Sequence, residues 1–164
     1  MNKIFSGIGS RETPLDIQLL MHDIGMYLGQ RGYILRSGHC EGADMAFENG
    51  CDEVKGIKEI YLAKDCTEQS MRLAEILHPA WYKVNTPGKR KLLGRNPLII
   101  LGKTLDIPSN SVIYYATEDM KTGEIKGGTR TGVVLAREWK IKTFNLYFED
   151  VKKKFMDKIY YGEK

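Results

Sequence analysis

Hydrophobic and polar positions sort this chain into two kinds of stretch. Short apolar runs recur as "KIFSGIG", "YILRS", "IKEIYLA", "SVIYYAT" and "KTFNLY", and each reads as a buried strand, the first ending at Gly7. Between them, apolar residues return every three or four positions. Ile17, Leu20, Ile24 and Leu28 form one such helical face. Thr13 reads as its N-cap, Pro14 as its first helical residue, and Gly32 closes it. In "GHCEGADMAFENG", Ala43, Ala46, Phe47 and Gly50 make a narrow face suited to close packing on a sheet. "TEQSMRLAEILHP" reads as a helix ending before Pro79, and a further helix is expected within "GKRKLLGRNPLIILGKTL". "TRTGVVLAREWK" and "EDVKKKFMDKIYY" complete the set, the last with Val151, Phe155, Ile159 and Tyr160 on one side.

Strands that alternate with helices predict a parallel sheet covered on both faces. Right-handed crossovers make this a Rossmann-like, doubly wound α/β fold with a mostly parallel sheet of about five strands. A length of 164 residues suits one core, so a single domain over residues 1–164 is expected. Ligands of such sheets sit beyond the carboxyl ends of the strands, where the strand order reverses. The residues that follow each strand are therefore the ones to read for function.

Three strand ends run into glycine-bearing turns that lead to helices: "GIGSR", "SGHCEGAD" and, after a loop, "KGGTRTG". A helix start presents unpaired N–H groups and the positive end of the helix dipole, which suits an anion. Ser10, Ser37, Thr129 and Thr131 add short hydroxyls. The first turn is not a dinucleotide fingerprint: Gly7 and Gly9 match the first two glycines of G-x-G-x-x-G, but Glu12 stands at the third, and no P-loop lysine pattern exists. Arg11 can pair bidentately with a phosphate, with a salt bridge to Glu12 or Asp44 as the competing structural role.

Composition narrows the picture only a little. The net charge is +4, yet Lys83, Lys89, Arg90, Lys91, Arg95 and Lys103 fall between Trp81 and Thr104 with no acid among them. Such a block attracts phosphates or simply solvates a loop. No apolar run approaches a membrane span, and the amino terminus lacks the apolar core of a secretory signal, so no membrane partner is expected. Cys40, Cys51 and Cys66 fit a reducing, cytoplasmic setting. The cysteines and histidines lack metal-type spacing, and neither a metal nor a cofactor is expected. Trp139, after the apolar run Val133, Val134 and Ala136, reads as a packing residue.

The three turns, taken as a set, resemble the Smf/DNA-processing protein A and LOG-like (SLOG) superfamily. The stretches "SGIGSR", "RSGHCEGADMAFENG" and "KGGTRTGVVLAREWKIKTFNL" carry the likeness, with "HPAW", "GRNP" and "LGKTLDIPS" between them. The match is nearer to the small single-domain, bacteriophage-type members labelled DNA-recombination-mediator-like. The resemblance implies a nucleotide or nucleotide-derived ligand held by Gly7, Gly9, Ser10, Arg11, Ser37, Gly38, Gly42, Asp44, Gly127, Gly128, Thr129 and Thr131. Arg95 and Asn96 of "GRNP" are outer ligand residues, and Asp44, at the acidic position of the second turn, implies a contact to a ribose hydroxyl.

The resemblance leaves three activities open. LOG-type N-glycoside hydrolases carry P-G-G-x-G-T-x-x-E; here Gly127, Gly128 and Thr131 fit, but Lys126 replaces proline, Arg130 replaces glycine and Val134 replaces the glutamate. With no catalytic group assigned, the chain leans away from an enzyme, although Glu12, Glu41, Asp44 or Glu48 stand as substitute carboxylates. A recombination mediator would use the basic block with Trp81 and Tyr82 to hold single-stranded DNA. The favoured reading is a non-catalytic binder. In a phage, in the host cytoplasm, such a protein acts as an anti-defense sponge for an immune signal such as a cyclic nucleotide or a cyclic ADP-ribose derivative. The amphipathic last helix also offers a strip for a homo-oligomer.

Overall fold

The computed structural model describes residues 3–162. Five strands form one sheet, all parallel: β1 (Ile4–Gly9), β2 (Ile34–Ser37), β3 (Lys58–Ile60), β4 (Ser111–Tyr115) and β5 (Lys142–Asn145). Their spatial order is β3-β2-β1-β4-β5. The chain builds outward from β1 to β3, then crosses back to place β4 on the other side of β1. The order therefore reverses between β1 and β4, the kind of position at which open α/β sheets generally take their ligands. The fold is a Rossmann-like α/β fold, as the alternation predicts.

Alternate residues of the central strands feed two cores. Phe5 and Ile113 face α1 (Leu15–Gln30), α2 (Ala43–Glu53) and α7 (Glu149–Tyr161). Ile8, Val112 and Tyr114 face α3 (Glu68–Leu77), α5 (Asn96–Leu101) and α6 (Arg130–Glu138), with α4 (Pro87–Gly94) beside α3. Ile17, Leu20 and Ile24 are buried as their spacing predicts. The small face of α2 lets it approach α1 closely: a side chain at Gly25 or Gly50 would strike the backbone of the opposite helix, at Phe47 and His22 respectively.

Several local expectations change. β1 runs on to Gly9, because its last residues pair with Tyr114 and Tyr115 of β4. Thr13 does not cap α1. Its hydroxyl donates to the Ser10 carbonyl at 2.7 Å, and Pro14 takes the cap position one residue later. The basic stretch holds two helices, α4 and α5, which meet at Arg95. Trp139 is not packed away; it caps the end of α6 and is nearly half exposed. Tyr160 points out of the core and donates its hydroxyl to Asp23.

Polar side chains lock the sheet from within. Arg36 of β2, fully buried, donates to Glu59 at 2.7 Å and to the Ile107 carbonyl at 2.5 Å. Ser6 of β1 donates to the Ile99 carbonyl at 2.7 Å. Asn145 donates to the Ala116 carbonyl at 2.8 Å and accepts from the Ala116 amide at 3.1 Å. That last pair fixes the chain leaving β4, which forms one wall of the cleft described next. Among the described residues, no helix is long and apolar enough to cross a membrane.

Candidate functional site

A cleft of about 1110 Å³ opens at the carboxyl ends of β1 and β4. Its walls come from four segments: the turn after β1, the start of α2, the α4–α5 junction, and the loop from Tyr115 to Gly132. Gly9, Ser10, Arg11, Asp44, Arg95, Asn96, Gly127, Gly128 and Thr129 all line it. Residues spread over more than a hundred positions of sequence are thus brought to one place by the parallel topology.

The turn after β1 is self-contained. The Ser10 hydroxyl accepts from the Glu12 amide at 3.0 Å, and the Ser10 carbonyl accepts from the Thr13 amide and hydroxyl. The same carbonyl also accepts from the Ala43 amide at 3.4 Å, the first residue of α2. Arg11 is exposed at the cleft edge and has no ion-pair partner among the described residues.

The turn after β2 is closed by the protein's own oxygens. The Met45 and Ala46 amides go to the carbonyls of Cys40 and Gly42, and Asp44 accepts from the Cys40 amide at 3.3 Å. Gly42 has φ +86°, and a Cβ there would lie 2.7 Å from the Ser10 and Arg11 carbonyl oxygens. Only glycine satisfies both demands. Asp44 is 4% exposed. Burial pushes its carboxyl up to about 6, against the opposing pull of the Arg95 guanidinium and the Cys40 and Gly38 amides.

Arg95, itself 4% exposed, is the cation that makes this burial tolerable. It donates to the carbonyls of Gly38 at 2.9 Å and Tyr61 at 2.7 Å, to Asn96 at 2.8 Å and to the Cys40 sulfur at 3.1 Å. Its guanidinium is largely committed to holding the ends of β2 and β3 together. Asn96 passes the restraint on, donating to the Gly128 carbonyl at 3.2 Å.

The third turn contrasts with the second. Arg130 anchors the start of α6 by donating to the Leu77 carbonyl at 2.7 Å. Among the described residues, the amides of Gly127, Gly128, Thr129 and Gly132 donate to no group of the chain. All four residues line the cleft. Gly127 has φ +95°, and no atom lies within 4 Å of a Cβ built on Gly127 or Gly128. Lys126 and Lys89 stand exposed on the same cleft.

The other expected ligand residues sit behind this surface. Gly7 packs on the Phe47 ring, 2.6 Å from where a Cβ would be, and Ser37 donates to the Gly7 carbonyl at 2.6 Å. Gly38 lies under the Arg95 guanidinium, and Thr131 is buried in α6. Val134 does not face the cleft. His39 and Glu48 pair at 2.8 Å away from it, with Lys58 on the other Glu48 oxygen.

Sequence reading missed the wall formed by Tyr115, Thr117, Glu118, Asp119 and Glu124. Their signal was position alone: they follow β4, the strand beside the reversal. Two of these acids are occupied. Glu118 pairs with Arg137 at 2.5 Å. Asp119 accepts from the Lys121 and Thr122 amides at 2.8 and 2.9 Å, and these amides hold its carboxyl below the usual range.

No family model and no curated protein sequence matches the chain. Among solved structures, the Moco carrier protein of Chlamydomonas rheinhardtii is similar, with a TM-score of 0.54 at 16% identity. The likeness covers 99% of this chain and 86% of that one. At this identity it speaks to the α/β fold alone.

Proposed function

We propose that the protein binds a nucleotide or a nucleotide-derived signalling molecule in the cleft, and holds it without cleaving it. The observation that carries this reading is the third turn: four residues around the amino terminus of α6, whose amides have no partner among the described residues, line one cleft beside Lys126 and Lys89. Unpaired amides and a helix dipole favour a phosphate. Leu92, Leu93 and Tyr115 give the cleft an apolar stretch for a base. Asp44 supplies an acceptor for a ribose hydroxyl. The motif resemblance to the SLOG superfamily points the same way. A cyclic nucleotide or a cyclic ADP-ribose derivative combines phosphate, ribose and base in the required order of chemistry, which suits a phage-encoded sponge.

The test is to release whatever co-purifies by heat, identify it by mass spectrometry, and titrate the protein with linear and cyclic nucleotides. Binding with the nucleotide recovered intact is the expected result. Absence of binding across the panel overturns the reading. A second reading, hydrolysis of the N-glycosidic bond, draws on Asp44, whose carboxyl near 6 suits a general acid or base. Free base appearing from a nucleoside monophosphate would select it instead.

A further inference from the structure

Asn96 lines the cleft from the junction of α4 and α5. It is the first residue of α5, and Pro97, Leu98, Ile99, Ile100 and Leu101 behind it are all buried. Its backbone is therefore seated in the core, and its carboxamide is oriented by a neighbour. The Arg95 guanidinium carries only N–H donors, so it decides which end of the carboxamide is the oxygen. Arg95 Nε donates to Asn96 Oδ1 at 2.8 Å, and the guanidinium is itself held by the Gly38 and Tyr61 carbonyls. The amide nitrogen is left for the third turn, where Nδ2 donates to the Gly128 carbonyl at 3.2 Å.

That bond engages a carbonyl which a continuing helix would use. In a regular α-helix each amide donates to the carbonyl four residues back. For Gly132 that carbonyl belongs to Gly128. Among the described residues, however, the Gly132 amide donates to no group of the chain, and the first four-residue bond at this end runs from Val133 to Thr129 at 3.2 Å. The Gly128–Thr129 peptide is trans, and a planar trans peptide points its N–H opposite to its carbonyl. With the carbonyl turned to Asn96, the Thr129 amide is turned away from Asn96, and it too has no partner among the described residues. One contact accounts for two of the four unpaired amides.

We propose that Asn96 is a positioning residue: by holding the Gly128 carbonyl, it keeps the Thr129 and Gly132 amides available to an anion at the mouth of α6. The inference rests on the reading of that mouth as the phosphate site. Asn96 acts through Gly128 rather than on the ligand. The position needs an acceptor for Arg95 and a donor for Gly128 in one side chain, and asparagine supplies both. Leucine, of similar size, supplies neither. Aspartate keeps the acceptor but sets a second oxygen against the Gly128 carbonyl. In either case the carbonyl is released to accept from Gly132, and the helix closes on itself.

The experiment uses the full chain, isotope-labelled for amide spectra, with inorganic phosphate as the probe at constant ionic strength. In the wild type, the amide signals of Gly127, Gly128, Thr129 and Gly132 should move with phosphate and saturate. N96L should weaken phosphate binding by roughly tenfold, as for the loss of one charge-assisted bond. Amide hydrogen exchange without phosphate separates positioning from mere support of the turn. Release of the carbonyl to the helix slows Gly132 exchange in N96L, whereas loss of support for the turn speeds it. N96D keeps the Arg95 bond and the shape of the side chain, and it should slow Gly132 exchange in the same way even if N96L does not fold. Equal phosphate affinity in N96L and wild type, or faster Gly132 exchange in either variant, overturns this inference and leaves the phosphate site standing. A wild type whose four amides do not respond to phosphate overturns the phosphate site, and this inference with it.

Discussion

The second and third glycine turns look alike in sequence, yet they do opposite things. "SGHCEGAD" and "KGGTRTG" both follow a strand and both open a helix. At the mouth of α2, the Ser10 carbonyl and the Asp44 carboxylate already occupy the places an anion would take. At the mouth of α6, Gly127, Gly128, Thr129 and Gly132 line the cleft, and their amides have no partners among the described residues. A glycine-rich turn is therefore not in itself an anion site. What decides is whether a neighbouring segment supplies the acceptors first. In α2 the neighbour is the turn after β1, pressed against it through Gly42. The two mouths divide the work: one fixes the shape of the cleft and presents a buried acid, the other offers donors.

The comparison breaks most sharply at Gly42. G42A would force a left-handed backbone on alanine, at about 1–2 kcal/mol. It would also drive a methyl against two carbonyl oxygens, an overpacking that costs roughly 1–3 kcal/mol. A loss of about 3 kcal/mol lowers the melting temperature of a chain this size by roughly 10 °C. Thermal unfolding followed by circular dichroism measures it. A melting temperature within a degree or two of wild type would show that the α2 mouth is not closed in this way.

Asp44 tests the same mouth through pH. Burial pushes its folded carboxyl up to about 6, above the ordinary aspartate value of 3.8. The folded state therefore binds a proton more tightly than the unfolded chain. The stability this gives is complete below about pH 4 and is lost as pH rises through 6. Over that window the loss is on the order of 2–3 kcal/mol. D44N keeps an acceptor for the Cys40 amide but does not titrate. The stability difference between D44N and wild type should grow in favour of D44N from pH 4 to pH 7, then level off. Urea unfolding at a series of pH values reads it. A difference that is flat with pH would place the titration elsewhere. Glu48 works in the opposite sense. Burial raises its carboxyl, but Lys58 and His39 outweigh that and hold it low, so its contribution falls away in acid and cancels in the difference.

Most of the fold was legible from spacing. The face Ile17, Leu20, Ile24 set α1; of the small face of α2, Ala43 and Phe47 do abut Gly9 and Gly7 of the sheet, while Gly50 serves a close approach to α1 that the reading did not anticipate. Alternation of strands and helices predicted the parallel sheet and thus the position of the cleft. The site was legible only in part. Gly9, Ser10, Arg11, Asp44 and Gly127 to Thr129 were named from their turns and do line it. Gly7, Gly38 and Ser37 belong to the same motifs, but they serve the packing behind it. A motif records that a residue type is required at a position; it does not say whether a ligand or a neighbouring helix requires it. Arg95 shows why. In sequence it stands in a basic block and suggests phosphate. In the fold, the Gly38 and Tyr61 carbonyls, just past the ends of β2 and β3, claim it, and nothing in its local sequence encodes those partners.

The smallest expected effect on stability falls at the open mouth, and it sharpens the contrast most. Gly128 does not have a positive φ, and there is open space around a Cβ. Unlike G42A, G128A should leave the melting temperature within about 1 °C, because neither strain nor overpacking is introduced. Its methyl would stand where a phosphate must come within hydrogen-bonding distance of the Gly128 and Thr129 amides. Losing about one such charge-assisted bond weakens binding by roughly tenfold. Calorimetric titration with the nucleotide identified from the co-purified material gives the affinity. Equal affinity in G128A and wild type, with equal melting temperatures, would mean that the amides at the α6 mouth do not hold the phosphate. A drop in melting temperature comparable to that of G42A would mean that the two mouths are alike after all.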